Sequence, residues 1–407
     1  MDIKFSKFLC GFRKGYSTNH ALIRLLEDWR HVLDKKEIVG TVLCDLSKAF
    51  DTLPHDLLIA KLEAYGIGPK ALRLLSNYLK GRRQRCKIGT FYSTWREIWM
   101  GVPQGSVLGP LLFNIFINDL FFFILESGIC NFADDNSLWS HGKSTDIVTN
   151  KLENDMRRAM YWFKINSLVA NPDKFQFMIL GTKSKSGLKI EINGKSSIAT
   201  SSVVLLGIEI DWKLSFNAHV QSICKKANQK AGALMRIRNN ILQAQKLTLY
   251  HSFIMSSFSY CPLIWMFCGI VANNRVDRVQ MRALRAVYND YSSSNNVILN
   301  GGDHPSIHER NLNLLILEVY KCLNKDSPPI LHGLFQTKES SYKLRVNNLL
   351  VLPTVSTQSY GTQSLKYRGS TTWNYVPDEI KNVKTSSILK GILKRFKFSH
   401  CTCKICI

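Results

Sequence analysis

The run Ile38-Val-Gly-Thr-Val-Leu-Cys-Asp-Leu46 limits the fold more than any other part of the chain. Apart from Gly40 and its single acid it is apolar or β-branched throughout, the pattern of a strand buried on both faces. It delivers a carboxylate, Asp45, at its end. An acid there is by itself most often a helix cap or a solvated turn. What surrounds it decides otherwise.

Helical periodicity precedes the strand at Ala21–Leu33, and two helices, His55–Tyr65 and Pro69–Leu79, follow it across the Gly66-Ile67-Gly68 turn. Gln84–Ile98 alternates like a hairpin with Gly89 and Thr90 near its turn, and Leu111–Leu125 reads as a buried apolar helix. In Ile129–Trp139 apolar residues flank Asp134, Asp135 and Asn136, which favour turns, so a second hairpin is expected. A helix (Ile147–Asn166), a strand (Phe175–Leu180) and two strand-like pieces ending near Asp211 come next. From Asn217 to Asn289 the pattern is helical, with Lys225, Lys226, Lys230, Arg236, Arg238, Arg275, Arg278, Arg282 and Arg285 on the outer faces. A Ser-, Asn- and Gly-rich stretch at Ser292–Gly302 precedes a smaller basic region.

The 407 residues carry 54 Lys and Arg against 30 Asp and Glu, a formal charge of +24. Such an excess favours a polyanion, because each neutralised phosphate releases condensed counterions. The 45% hydrophobic content is that of a globular chain and argues against disorder in the bulk of it. Eleven scattered cysteines, several inside apolar runs (Cys44, Cys261, Cys268), suit buried thiols in a reducing compartment. Met1–Phe12 has no sustained apolar core of a secretory signal. Leu111–Leu125 is shorter than the ~20 residues of a membrane span and is interrupted by Asn114, Asn118 and Asp119. An intracellular protein, nuclear or cytoplasmic, not secreted and without a membrane partner, is the expectation.

Three segments carry the chemistry: Asp45-Leu-Ser-Lys-Ala-Phe-Asp51, Gly101-Val-Pro-Gln-Gly-Ser-Val-Leu-Gly-Pro110 and Phe132-Ala-Asp-Asp135. Nucleotidyl transfer builds negative charge on an attacking 3′-oxygen and on a leaving pyrophosphate, and two divalent ions about 3.5–4 Å apart stabilise both. Magnesium binds hard oxygens, through one or two carboxylates plus substrate phosphates. A strand ending in Asp45 beside a hairpin tipped by Asp134 has the geometry to supply them.

In order and spacing these segments resemble motifs A, B and C of the reverse transcriptases of non-LTR retrotransposons, the LINE- and jockey-like kind: D-x-x-x-A-F-D, P-Q-G and F-A-D-D. Gly11-Phe-Arg-Lys-Gly15 with Ser17-Thr18 resembles the fingers segment before motif A. Asn171-Pro-Asp-Lys174 resembles motif D, and Leu206-Gly-Ile208 the primer-contacting hairpin after it. The match runs from about Gly11 to Asp211; His304–Leu334 and Trp373-Asn374 resemble tail segments of such elements more loosely.

The resemblance implies an α+β right-hand polymerase with an antiparallel palm sheet followed by a helical region. Residues 1–211 would be incomplete fingers and palm, 212–291 a helical thumb, and 303–407 a small basic C-terminal region. It implies an RNA-directed DNA polymerase that takes dNTPs, an RNA template and a DNA primer, and grips the RNA–DNA duplex through its phosphates. Asp45 and Asp134 would hold two magnesium ions (manganese able to substitute), with Asp135 assisting. Phe50 falls on the position of the steric gate against a ribose 2′-hydroxyl; read from the residues alone it is ordinary core. Gln104 and Gly105 would lie under the nascent base pair, and Leu206 and Gly207 at the primer. Lys174 would lie near the leaving pyrophosphate or be a plain surface lysine, and Arg13 or Lys14 would touch the triphosphate. His400, Cys401, Cys403 and Cys406 have zinc-binding side chains, but so few residues leave little chain for a tetrahedral cage, so zinc is not expected. An endonuclease domain and the R-P-I-type fingers segment have no counterpart before Gly11. A truncated element copy is therefore expected, with a catalytically inactive nucleic-acid-binding relic as the alternative.

Overall fold

Segments far apart in sequence pair to form the sheet that carries Asp45 and Asp135 at its edge. The computed structural model describes residues 5–182, 187–338 and 348–396. The chain divides into two interleaved compact units: one takes the residues up to Ser17 and Lys36–Ser201, the other Thr18–Lys35 and the residues from Ser202 onward. Helix α1 (Thr18–Asp34) therefore belongs to the second unit.

The first unit begins with β1 (Ile38–Cys44), β2 (Leu46–Ser47), α2 (His55–Ala64) and α3 (Pro69–Leu79). Four short strands follow, β3 (Arg82–Gln84), β4 (Lys87–Ile88), β5 (Phe91–Tyr92) and β6 (Arg96–Ile98). Then come α4 (Leu108–Ile117), β7 (Gly128–Phe132), β8 (Asp135–Gly142), α5 (Thr145–Ile165) and β9 (Val169–Ala170). The unit closes with β10 (Gln176–Leu180), β11 (Lys189–Ile192) and β12 (Lys195–Ile198).

An antiparallel sheet of order β10-β1-β8-β7 forms its centre. Strand β1 lies inside the sheet and is buried from Val39 to Cys44, as its unbroken apolar run requires. Helix α5 covers one face with Val148, Leu152, Met156, Ala159, Trp162 and Phe163. Gly40 lets that helix come close: a Cβ there would stand 2.6 Å from Val148 Cγ1 and 2.9 Å from Leu152 Cδ1. Phe113, Phe116 and Ile117 of α4 join the same core.

The apolar stretch expected as one helix over Leu111–Leu125 is α4 continued by a 3₁₀ segment, Asn118–Phe122. Polar side chains account for the change. Asn118 accepts a hydrogen bond from Ser6 N at 2.8 Å and donates one to Tyr65 Oη at 2.5 Å, and Asp119 pairs with Lys61 at 2.9 Å. The two strand-like pieces expected before Asp211 are four strands in two hairpins. The β11–β12 turn is Asn193-Gly194, both with positive φ (52° and 76°), the usual sequence of a two-residue hairpin turn.

The second unit contains α1, β13 (Ser202–Leu205), β14 (Ile208–Asp211), α6 (Asn217–Ile237), α7 (Gln243–Leu249) and α8 (Pro262–Trp265). It continues with α9 (Ile270–Tyr288), α10 (Asn295–Gly301), α11 (Ile307–Leu323), α12 (Leu365–Asn374), α13 (Asp378–Lys381) and α14 (Ser386–Leu393). A capping box of Ser306 and Glu309 starts α11. Buried Glu27 of α1 accepts the backbone N–H groups of Leu365 (2.5 Å) and Lys366 (3.0 Å) at the start of α12. That bond ties the early helix to late sequence, a partnership no linear reading of the chain contains. Among the described residues no helix is long and apolar enough to cross a membrane.

Asp155 of α5 organises the entry to β7. Fully buried, it accepts N–H groups of Leu125 (3.0 Å), Glu126 (2.8 Å) and Ser127 (2.6 Å) and pairs with Arg158 at 2.7 Å. Burial raises its pKa, but these bonds outweigh burial and hold it below the ordinary carboxylate range. Asp155→Ala is expected to destabilise the protein by about 3–5 kcal/mol in urea unfolding, because it leaves three backbone donors without their acceptor. The gap should close as pH falls through the lowered pKa of the native carboxyl. A loss below ~1 kcal/mol would show that the turn holds itself.

Candidate active site

The register of β1 on β8 pairs Cys44 with Asn136, so the next residue of the central strand, Asp45, leaves the sheet level with Asp135. On the other side of β8, Phe132 and Asp135 close the β7–β8 hairpin, and Ala133-Asp134 forms its two-residue loop. One ladder thus brings the carboxylates of two separate sequence motifs to the same sheet edge.

The hairpin tip is pinned by amides. Asn131 Nδ2 donates to Ala133 O (2.7 Å) and Asn136 Oδ1 (2.9 Å), and Asn136 Nδ2 donates to Asp134 O (3.0 Å). Ala133 is held in the left-handed region (φ 59°), where a non-glycine residue is strained. The chain before α1 braces the tip from outside: Asn131 and residues 8–10 exchange backbone hydrogen bonds at 2.8 and 3.0 Å. Asn114 Nδ2 donates to Gly11 O at 2.8 Å. A Cβ on Gly11 would lie 2.3 Å from Ala133 N, so only glycine permits this approach. Sequence reasoning missed Asn131, Asn136 and Asn114. Their signal is an amide set within an apolar run, where a buried polar group must find partners.

The second motif is fastened to the residues that follow Asp45. Gly101 N donates to Leu53 O (2.7 Å), Val102 N to Phe50 O (2.8 Å), and Gln104 Nε2 to Asp51 Oδ1 (2.8 Å). His55 Nε2 meets Gly101 O at 2.8 Å. Gly101 has φ 86°, and a Cβ there would be 2.6 Å from Asp51 O. Gln104 and Gly105 are exposed, with open space around Gly105. Phe50 is half-buried: its ring stacks on buried Phe113 (4.3 Å, 18°) and meets exposed Phe12 edge-on (5.8 Å).

Charge distinguishes this edge from an ordinary sheet end. Asp135 reaches solvent, yet its carboxyl is pushed up to about 6, by loss of hydration first and then by the charges of Asp134 and Asp45. Two further carboxylates, Asp134 and Asp45, thus lie near enough to Asp135 for their charges to act on it. Lys174, in the short turn after β9, sets its Nζ 3.3 Å from Asp45 Oδ2. Strand β9 pairs with β2, which carries this turn to Asp45.

Among the described residues no three His, Cys, Asp or Glu side chains gather closely enough to chelate an ion unaided. The donor set nevertheless fits magnesium, which takes one or two carboxylates and completes its shell with phosphate and water oxygens.

Other expected residues fall elsewhere. Arg13 folds its own loop, Nη1 donating to Ser6 O (2.7 Å) and Leu9 O (3.0 Å) with Tyr16 beneath it at 4.4 Å, while Lys14 is exposed. Leu206 and Gly207 belong to the second unit, where they form the β13–β14 turn (φ 47° and 76°) and Leu206 O accepts from Tyr260 Oη at 2.7 Å. The His400–Cys406 segment lies outside the described residues.

Residues 2–210 match the family model described as reverse transcriptase (RNA-dependent DNA polymerase). The probable RNA-directed DNA polymerase from transposon BS of Drosophila melanogaster is 30% identical over 290 residues, 68% of this chain and 32% of the relative. The RNA-directed DNA polymerase from mobile element jockey of the same organism is 25% identical over 294 residues, 69% of this chain and 32% of the relative. The match thus spans about a third of these relatives' length. A telomerase from Candida tropicalis, in complex with a TWJ fragment of telomeric RNA, superposes with TM-score 0.40 at 11% identity, over 94% of this chain and 53% of that one.

The raised pKa of Asp135 has a consequence for stability. A carboxyl that titrates near 6 when folded and near 4 when unfolded binds its proton more tightly in the native state. Its contribution is complete below pH ~4 and is lost as pH rises through about 6. Asp135→Asn should therefore gain thermal stability over the parent across pH 4 to 7 in metal-free buffer. A difference independent of pH would mean that the three acids do not interact.

Proposed function

Because this chain belongs to the reverse transcriptase (RNA-dependent DNA polymerase) family, we propose that it copies RNA into DNA, as the polymerase part of a non-LTR retrotransposon. It would join a dNTP to the 3′-hydroxyl of a DNA primer on an RNA template. The primer 3′-oxygen forms a bond to the α-phosphorus and pyrophosphate leaves. The observation that carries the reading is the convergence of Asp45, Asp134 and Asp135 on one sheet edge, felt in the raised pKa of Asp135.

In this reading Asp45 and Asp134 hold the divalent ions and Asp135 assists. When bound, a pair of magnesium ions stabilises the negative charge on the attacking and leaving oxygens. The protein's own part is to fix the acids: the β1–β8 ladder and the Asn131–Asn136 amides keep them from moving apart. Lys174 offers a positive charge beside Asp45, suited to the departing pyrophosphate. Gln104, held by Asp51, and Gly105, open to solvent, suit a surface under the nascent base pair.

The sheet β10-β1-β8-β7 with α4 and α5 is read as the palm, residues 212–291 as the thumb, and 303–407 as a smaller basic region. The charge of +24 supports an RNA–DNA duplex gripped through its phosphates. The scattered thiols, most of them buried, support an intracellular setting, nuclear or cytoplasmic.

Asp134→Asn should abolish magnesium-dependent primer extension on RNA while leaving the circular dichroism spectrum unchanged, since it removes a charge at constant volume. Extension near the parent rate would sink the assignment. If the parent does not extend, magnesium-dependent dNTP binding by the two proteins decides, and equal binding rejects it.

Phe50 answers to a separate measurement. If its ring bars a 2′-hydroxyl, Phe50→Ala should raise the ratio of ribo- to deoxynucleotide incorporation, each 1.36 kcal/mol of lost discrimination giving about tenfold. If Phe50 serves only to cover Phe113, both rates should drop together at constant ratio.

A further inference from the structure

Between α3 and the Gly101–Pro110 segment the chain forms a two-stranded ribbon that is packed very little. β3 pairs with β6, and β4 with β5. Every residue of 83–97 is exposed. Yet the ribbon is rich in large apolar side chains: Phe91 is 81% exposed, Ile88 79%, Trp99 75%, Trp95 56% and Tyr92 50%. Surface positions of this kind rarely hold so many aromatic residues together without a partner.

Charge says which partner. From Arg82 to Trp99 there are five basic residues (Arg82, Arg83, Arg85, Lys87 and Arg96) and one acid, Glu97. Glu97 pairs with Arg83 at 3.3 Å, and among the described residues no acid pairs with Arg85, Lys87 or Arg96. The cations interleave with the rings. Arg85 Cζ lies 4.0 Å from the Tyr92 ring centre and 4.6 Å from that of Trp95, and Lys87 Nζ lies 5.2 Å from Tyr92. The register explains the grouping, because Lys87 stands opposite Tyr92 on one face while Ile88 stands opposite Phe91 on the other. A guanidinium stacked on rings is held in place with its N–H edges outward, positioned for a phosphate.

An apolar protein partner gives no use to Arg85 and Lys87 set among the rings. A single strand of nucleic acid uses both, its bases stacking on the rings and its phosphates meeting the cations. A duplex hides its base faces and uses only the charge. We propose that the β3–β6 ribbon is a docking surface for single-stranded nucleic acid. Its C-terminal end runs through Trp99 and Met100, which bridges to Pro54, directly into the Gly101–Gly105 loop beside Asp51. A strand bound on the ribbon is thereby led toward the proposed polymerase site as its template. Only this last step rests on the polymerase reading.

The test uses the full chain, an unstructured oligouridylate and a hairpin duplex, in EDTA and without dNTPs, so that catalysis plays no part. The variant is Arg85→Gln/Trp95→Ser, both exposed positions, and circular dichroism checks its fold. Removing one stacking platform and its cation should weaken binding of the single strand roughly tenfold or more and change duplex affinity far less. Unchanged single-strand affinity, or an equal loss for strand and duplex, overturns the proposal. So does a variant that keeps its affinity but loses self-association in sedimentation, which would make the ribbon a contact between copies. Absence of extension by the parent leaves this result readable, since binding alone is measured.

Discussion

The ladder between β1 and β8 holds together charges that repel one another. It sets Asp45 level with Asp135 and next to Asp134, and burial and like charge raise Asp135 to about 6. Backbone hydrogen bonds bear this cost: strand β1 is bonded on both sides, to β8 and to β10, and buried throughout from Val39. A site built on an edge strand or a free loop would relax by moving its acids apart. Here the apolar run that begins at Ile38 makes relaxation expensive, so the acids stay where the ladder sets them.

The same economy extends to the neighbouring segments. Gly11 and the amides of Asn114 and Asn131 fix the hairpin tip, and Gly101 lies against Asp51, where side chains larger than hydrogen find no room. Three sequence motifs separated by dozens of residues are thus linked by backbone contacts and not by side chains alone. Substitutions at these glycines are expected to disturb the acids without touching them, a route to lost activity distinct from removing a ligand.

Much of this was legible in the sequence because it depends on local pattern. Residues 38–44 show a strand by their unbroken hydrophobicity, and His55 and Pro69 mark helix starts that the structure keeps. Asp45 and Asp134 come to one sheet edge, Gln104 bonds Asp51 of the first motif, and Lys174 pairs with Asp45. What stayed hidden depends on long-range partners. Glu27 capping α12 joins residues more than three hundred apart. The 3₁₀ end after α4 follows from bonds of Asn118 to Ser6 and Tyr65, which no helical periodicity encodes. The amides around Ala133 are not legible there, since an asparagine in an apolar strand carries no sign of which carbonyl it will meet. Asn193-Gly194, by contrast, is a turn signal that local sequence does carry.

The proposal most open to test is that Asp45 and Asp134, with Asp135 assisting, hold the divalent ions. Iron(II) replaces magnesium at carboxylate sites and, with ascorbate and peroxide, cleaves the backbone where it is bound. The full chain treated in this way should be cut near residues 45 and 134, with magnesium suppressing both cuts and Asp134→Asn removing them. Cleavage confined to other segments, or cuts at 45 and 134 that magnesium does not compete away, would contradict the account.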